Sequence, residues 1–580
     1  MERMIRRLPW AVALTLLSGC VSVSRRDGAD RVEALMAERL PTTFAWNRDA
    51  SGRAAIDARV DQLLATPLTA AAAVQIAQLR NPHIAAEYAR LGIAQADVVE
   101  ASRLGNPTLS GSALKDGGPA KLTTGLSVPL ADLLLLPARR RLASGEYERA
   151  QQLIALSLIN LAADVTEDWT NAAGAIQVAR MREAIATASA ASATLAQRYY
   201  EAGNLNALEF KLEQSAATQA RISATRARAE ATRAGLALNA RLGLSGDAAV
   251  RWTLDVPLAT PVATEDTPET LQSLARTHRL DLTSAQREVQ LLGDAVHLAR
   301  RWRLLGRVEI GVERERETDG SRLTGPTLSL ALPLFNQGQA AIARAEAQLE
   351  IGRAQLEQLE IQLDNDVRLG VERVAAMRAI VEDYRAALVP QREAVVKQQV
   401  DRINYMLIGP FELLLAKQQE YDAYQGYIEA VRDYWLARVA LSRAIGMNLP
   451  SDATIEGRTI GVDAILSPPQ ESGAGHQHHA ADVMQSMPGM DHDDDESSDA
   501  EPADPAADHS THDSATKPPA PEPASTPAGA PPDAPHDHSH HSAGTVPVAP
   551  MPRLVSPVDA DAPGGLLIST FVFLAAGDHP

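Results

Sequence analysis

Ser127-Val128-Pro129-Leu130 leads into a long Ala-rich stretch, and Leu330-Ala331-Leu332-Pro333-Leu334 leads into another, with the two prolines 204 positions apart. The stretches also end alike, in Leu242-Gly243 and Ile445-Gly446, 203 positions apart. Solenoid repeats recur every 20–50 residues or so, so a period of about 200 implies instead a duplicated domain. Before each proline lies a pair of short alternating segments around a polar turn. In the first pair, Leu109, Gly111 and Ala113 alternate with Thr108, Ser110 and Ser112. After Lys115 to Lys121, Leu122, Thr124, Leu126, Val128 and Leu130 alternate with Thr123, Gly125 and Ser127. In the second pair, Val308, Ile310 and Val312 alternate with Arg307, Glu309, Gly311 and Glu313. Beyond a turn read as Arg314 to Arg322, Leu328, Leu330 and Leu332 alternate with Thr327, Ser329 and Ala331. Period 2 is the strand signal.

One face of these strands is apolar and the other polar or charged. A soluble sheet hides the apolar face; a membrane barrel turns it to lipid. Each strand has roughly the 9–11 residues of a tilted membrane strand. Four strands cannot close a conducting barrel, and lipid forbids an open edge. If the strands are in a membrane, chains must pool them, and three chains would give 12. A small soluble β-domain is the alternative.

The Ala-rich stretches supply long helices. Ala138 to Glu201 contains no proline, and its 64 residues predict a helix of about 95 Å. Gln339 to about Ile403 is similar, with Pro390 as an expected kink. Ile154, Leu158, Leu161 and Val165 keep a 4-3-4 spacing, and Ile342, Ala345, Leu349, Gly352, Leu356, Leu359 and Leu363 alternate 3 and 4, which is coiled-coil spacing. Each long helix turns back, near Ala202-Gly203-Asn204 and near Ile408-Gly409-Pro410. The expected fold is mainly α with a small β part, a strand pair plus long α-hairpin occurring twice.

Apolar residues make up 45% of the 580 but aromatics only 4%, so alanine does much of the packing. The net charge of −18 belongs almost wholly to a tail beginning at Ser467, and the near-neutral body offers no basic patch for nucleic acid. The single cysteine, Cys20, follows a positive Arg3, Arg6, Arg7 segment and the apolar Leu8 to Leu17, in Leu17-Ser18-Gly19-Cys20. This is a lipoprotein cleavage pattern, with a covalent lipid expected on Cys20. Val21 follows, with no Asp to retain the product at the inner membrane. The expected organisation is a signal peptide over 1–19, a lipidated leader over 20–66, repeat one over 67–250, a linker with repeat two over 251–466, and the tail over 467–580.

Gly409-Pro410-Phe411-Glu412-Leu413-Leu414-Leu415-Ala416-Lys417-Gln418 is similar to the Gly-x-x-(Asp/Glu)-Leu-Leu-x-Ala-x-Gln signature of TolC-type outer-membrane efflux factors. Gly203 to Gln214 is a degraded copy. With the lipobox and the tandem repeats, the chain from Leu68 to Pro450 resembles that family, and its lipidated heavy-metal branch most. The resemblance implies a homotrimer with a 12-stranded outer-membrane β-barrel on a periplasmic α-helical barrel. It implies a periplasmic adaptor (membrane fusion protein) and an inner-membrane pump as partners, and outer-membrane lipid around the strands. It also implies that Glu412 lies near the tunnel gate, and that Gly203, Gly409 and Pro410 sit at adaptor-contact tips. The family's frequent second acid is replaced by Leu415, so a hydrophobic constriction is expected beside the acidic ring. Such a factor needs no cofactor and is not an enzyme; the chain has no phosphate-binding Gly-rich loop, Gly-x-Ser-x-Gly or His-Glu-x-x-His.

Arg139-Arg140-Arg141 and Arg300-Arg301-Trp302-Arg303 flank the strands, where they could meet lipid headgroups or serve as ordinary helix-surface charge. The tail is rich in Pro, Ala, Asp and Ser and is expected to be disordered. It carries His476, His478, His479, His492, His509, His512, His536, His538, His540 and His541, and Met484, Met487 and Met490 recur every third residue. Thioethers favour Cu(I), while imidazole suits Cu(II), Zn and Ni. These residues are candidate ligands for copper, or for zinc or silver; a plain solubilising tail is the alternative. The segment Gly565 to Ala576 is apolar but too short to span a membrane as a helix. The leading expectation is an efflux channel for heavy-metal cations. A general drug or organic-solute duct and a non-pore periplasmic metal-binding lipoprotein remain as alternatives.

Overall fold

The structure, a computed structural model, describes residues 28–40, 50–115, 117–254, 256–303 and 308–466. Cys20 and all the tail histidines and methionines lie outside the described residues.

Helices α1 (Ala29–Ala37) and α2 (Ala50–Leu64) precede the first repeat. Then come α3 (Ala70–Arg80), α4 (Pro82–Ala101), strands β1 (Thr108–Leu114) and β2 (Lys121–Pro129), and helices α5 (Leu130–Glu201) and α6 (Ala207–Leu242). The order recurs as α7 (Pro268–His278), α8 (Leu280–Arg301), β3 (Val308–Arg316), β4 (Arg322–Leu330) and α9 (Gln339–Asp383). A π-turn at Tyr384–Leu388, α10 (Val389–Asn404), α11 (Pro410–Ile445) and a short α12 (Val462–Leu466) complete it. The copies match closely: α3 and α7 are both 11 residues, and α6 and α11 are both 36. Their punctuation also recurs. Thr69 and Thr267 each cap a helix with the side-chain oxygen. Gly243 (φ 71°) and Gly446 (φ 81°) end α6 and α11 in the left-handed region that glycine alone enters freely.

Three expectations need correction. First, α5 begins at Leu130 and keeps Pro137 inside a 72-residue helix of about 108 Å. Second, the break expected at Pro390 falls in a π-turn at Tyr384–Leu388 just before it. Shifting the hydrogen-bond spacing there accommodates a residue with no N–H to donate. Third, β1 has 7 residues, whereas β3 runs through Arg316 and β4 starts at Arg322, leaving the turn only residues 317–321.

The four strands form one antiparallel sheet in the order β1-β2-β3-β4, so β2 and β3 join the repeats edge to edge. Both outer edges, β1 and β4, lack partners among the described residues. The core lies in the helices. Ile154, Leu158, Leu161 and Val165 of the coiled-coil spacing are all buried, with α3, α6 and α11 packed around α5. Alanine lets the helices close: Ala172, Ala173 and Ala175 are buried, and Gly174 leaves room for Arg432, whose Cδ would be 2.7 Å from a Cβ. Gly352 similarly admits Leu292 of α8.

A polar clasp ties the linker to α11. Arg438, 2% exposed, pairs with Glu265 and with Asp452 (2.7 Å), and donates to Ser451 Oγ (2.8 Å). Tyr434 donates to Glu265 (2.6 Å) and accepts from the Val262 amide, and Trp435 donates to the Ala259 carbonyl. No described helix is long and apolar enough to cross a membrane.

Candidate functional site: the paired hairpin tips and the two faces of the sheet

At the first tip, α5 ends in two nested hydrogen bonds, Gly203 N–H to Tyr200 O (3.0 Å) and Asn204 N–H to Tyr199 O (2.8 Å). Gly203, at φ 74°, holds the left-handed position this Schellman closure requires. At the second tip, α10 closes the same way, with Met406 N–H to Ile403 O (2.8 Å) and Leu407 N–H to Arg402 O (2.9 Å). Here the left-handed residue is Met406, at φ 53°. Gly409 instead is the extended N-cap of α11, with Pro410 at the first helical position. Gly203 and Gly409 both lie at tips but play different parts; the counterpart of Gly203 is Met406. Sequence reading missed this because αL normally calls for Gly or Asn, and Met carries no such signal.

Aligning caps shows which side chains correspond. Asn206 caps α6 in a full capping box with Glu209: Asn206 Oδ1 accepts from the Glu209 amide (2.9 Å), and Glu209 Oε2 accepts from the Asn206 amide (3.4 Å). Glu412 holds the same third helical position in α11, and its carboxylate folds back towards Gly409. Glu209 is therefore the repeat-one partner of Glu412, and Leu212 the partner of Leu415. Both leucines are exposed. The structure brings both tips around one cavity of about 530 Å³, lined by Gly409, Pro410, Glu412 and Leu415 from repeat two and Glu209 and Leu212 from repeat one. Gly203 is outside that lining. Tyr199 meets Phe411 edge-on at 6.2 Å and ties the two tips together, while Tyr200 stacks on Phe210 at 5.0 Å. Deeper in, Ser192 donates to Glu213 (2.6 Å), and Lys417 pairs with Glu420 while lying 4.8 Å above the Tyr421 ring. Burial, then the hydrogen bond to Glu393, pushes the Tyr424 hydroxyl pKa up, so it remains a proton donor.

At the other end of the helices, the sheet segregates its side chains. The register places Leu126 beside Val312 and Val128 beside Ile310, with Leu328 beyond. That face is bare: Leu109 is 79% exposed, Val312 55% and Leu328 70%. Glu309, Glu313 and Glu315 occupy the opposite face. Ser127 donates to Glu309 (3.2 Å), and Lys121 pairs with Glu315 and Glu317. Of the flanking basic runs, Arg139 pairs with Asp132 (3.4 Å), Arg300 pairs with Glu346 (2.5 Å), and Arg301 packs against Trp302. Among the described residues, no group of three or more His, Cys, Asp or Glu side chains could hold a metal ion.

No protein-family model matches the sequence, and no curated protein matches it. Solved structures do match. A membrane protein from Pseudomonas aeruginosa superposes with a TM-score of 0.55 at 19% identity, over 70% of this chain and 97% of that one. CusC, described for its folding and transmembrane channel formation, gives 0.54 at 14% identity, over 67% and 92%. The outer membrane protein VceC from Vibrio cholerae gives 0.53 at 16% identity, over 68% and 97%. The body of the chain therefore has the fold of the TolC-type outer-membrane efflux channels.

Proposed function

We propose that this chain is the outer-membrane channel component of a tripartite efflux system. Three copies would pool 12 strands into one closed barrel, anchored by lipid on Cys20, and their helices would form a periplasmic tunnel. The single observation that carries this reading is the sheet. Among the described residues it has two open edges and a bare apolar face; water penalises the bare face and lipid penalises the open edges. Closure with copies of itself removes both penalties. The polar face, with Glu309 and Glu313, would then line the lumen.

The tip cavity supports a gate. Glu412 and Glu209 from each copy would set six carboxylates near the threefold axis, with Leu212 and Leu415 as the apolar constriction beside them. A ring of carboxylates concentrates cations and repels anions. The exposed tip residues, Met406 and Leu407 beside Gly409 and Pro410, and Gly203 in repeat one, would meet the adaptor, with the inner-membrane pump beyond it. No covalent chemistry is needed; the protein conducts passively.

The cargo follows from ligand chemistry. The His-x-His and Met-x-x-Met spacings of the tail suit copper first, and zinc or silver next. The tail would collect ions beside the complex. Metal-tolerance profiling of a deletion strain tests this: copper, zinc or silver tolerance should fall. Unchanged metal tolerance with lost tolerance to organic solutes would replace the cargo while leaving the channel. Removing residues 467–580 should abolish metal binding by the purified protein; retained binding would exclude the tail as ligand.

A further inference from the structure

Strand β3 reads Glu313-Arg314-Glu315-Arg316 where it approaches its turn, and the register resolves this run into two charges on two faces. The glutamates fall on the polar face. Arg314 and Arg316 fall on the apolar face, in line with Val308, Ile310 and Val312. Arg316 stands directly opposite Arg322 of β4, and Arg314 opposite Thr324. All three arginines are exposed, and among the described residues none of them makes an ion pair. Every acid nearby on these strands points to the other side.

That arrangement costs stability as it stands, because like charges directly opposite in a sheet repel. Opposed Cα atoms are about 4.5–5.5 Å apart, and successive same-face residues about 7 Å. Three guanidinium groups therefore share one patch, each a planar fork suited to a phosphate. Height fixes the surroundings. Along a strand at about 3.4 Å per residue, Arg316 lies about 27 Å from Val308, or about 19–22 Å in height once the strand tilts by about 35–45°, near the upper edge of an apolar band that is about 25 Å tall in such barrels. The turns at this end lie opposite to where β2 enters α5, so in the channel reading they face the exterior.

We propose that Arg314, Arg316 and Arg322 form a docking surface for the phosphate groups of the outer-leaflet glycolipid, lipid A. The acyl chains would lie on Leu126, Val312 and Leu328, and the phosphates would neutralise the arginine cluster. The surface rests on the channel reading, since only a lipid-facing sheet brings that face to the outer leaflet. A soluble phosphoprotein would not match an arginine patch continuous with a bare apolar band.

The test uses the full-length protein in detergent, with lipid A, its enzymatically dephosphorylated form and phosphatidylglycerol as probes. Native mass spectrometry counts bound lipid, and planar-bilayer conductance is recorded on the same preparation. The wild type should bind lipid A in preference to both other probes. The R314Q/R316Q/R322Q variant should bind it about tenfold more weakly or worse, given three lost charge-assisted contacts. The corresponding triple lysine variant should recover part of the binding, showing that loss reflects charge rather than unfolding. A conducting preparation in which the glutamine variant binds like the wild type, or in which dephosphorylated lipid A binds equally, overturns this inference and leaves the channel standing. A preparation that never conducts overturns the channel reading and this inference with it.

Discussion

Replacing Arg438 by alanine removes the cation that two carboxylates share. Breaking a fully buried pair costs about 3–5 kcal/mol. Glu265 and Asp452 retain 23% and 33% of their side-chain surface, so each can recover some hydration once Arg438 is gone. The expected loss is therefore about 2–4 kcal/mol. It should be local, because Arg438 holds the linker and the segment after α11 onto that helix rather than the helices onto each other. Global unfolding of a chain this long is not expected to be two-state, so the assay is amide hydrogen exchange. The Val262 amide, bonded to Tyr434 (3.2 Å), and the Ser451 amide, bonded to Asp266 (3.1 Å), report the clasp. Their exchange should accelerate roughly 30- to 700-fold, since each 1.4 kcal/mol is a factor of ten. The Phe210 amide in the first hairpin tip should not change. Lysine at position 438 keeps the charge but loses the fork, and should fall between. Wild-type exchange at Val262 and Ser451, or an equal acceleration at Phe210, would refute the clasp as a local device.

Burial, then the hydrogen bond to Glu265, pushes the Tyr434 hydroxyl pKa up to about 12. The folded state therefore holds this proton longer than the unfolded chain, and the stabilisation is intact below about pH 10 and lost as pH rises towards 12. Y434F should flatten the alkaline loss of stability in that window, measured by thermal melts across pH. Met406 pays for a left-handed backbone, so M406G should protect the second tip by about 1 kcal/mol and G203A should expose the first by a similar amount, both read by exchange at the tip amides. Gly311 sits at the seam between repeats, where a Cβ would come 2.5 Å from the Leu126 carbonyl oxygen. G311V should cost about 1–3 kcal/mol and lower the yield of folded protein, scored by heat-modified mobility on gels.

Much of this was legible because it is written in short-range periodicity. The prolines at 129 and 333, the glycines at 243 and 446 and the 3/4 spacing around Ile154 announced the duplication, and the structure repeats it down to a pair of 36-residue helices. The strand ends were not legible. Arg314 to Arg316 carries no hydrophobic alternation, so it read as part of the turn, although the period-2 alternation of opposite charges that begins at Glu313 is also a strand signal when both faces are polar. The clasp was invisible for another reason: Glu265 and Arg438 are 173 residues apart and no local pattern links them. At the tips the motif around Glu412 was found, but its equivalence to Glu209 needed the capping geometry, because Asn206 and Gly409 start their helices with different chemistry. The tail proposed to hold metal is legible through its His-x-His and Met-x-x-Met spacings.

Single-channel recording of the purified full-length protein in planar bilayers tests the central claim most directly. The account predicts a particle of three chains that inserts with discrete conductance steps and prefers cations, with the preference reduced by E209Q/E412Q. A protein that stays monomeric in detergent and gives no conductance step would contradict it.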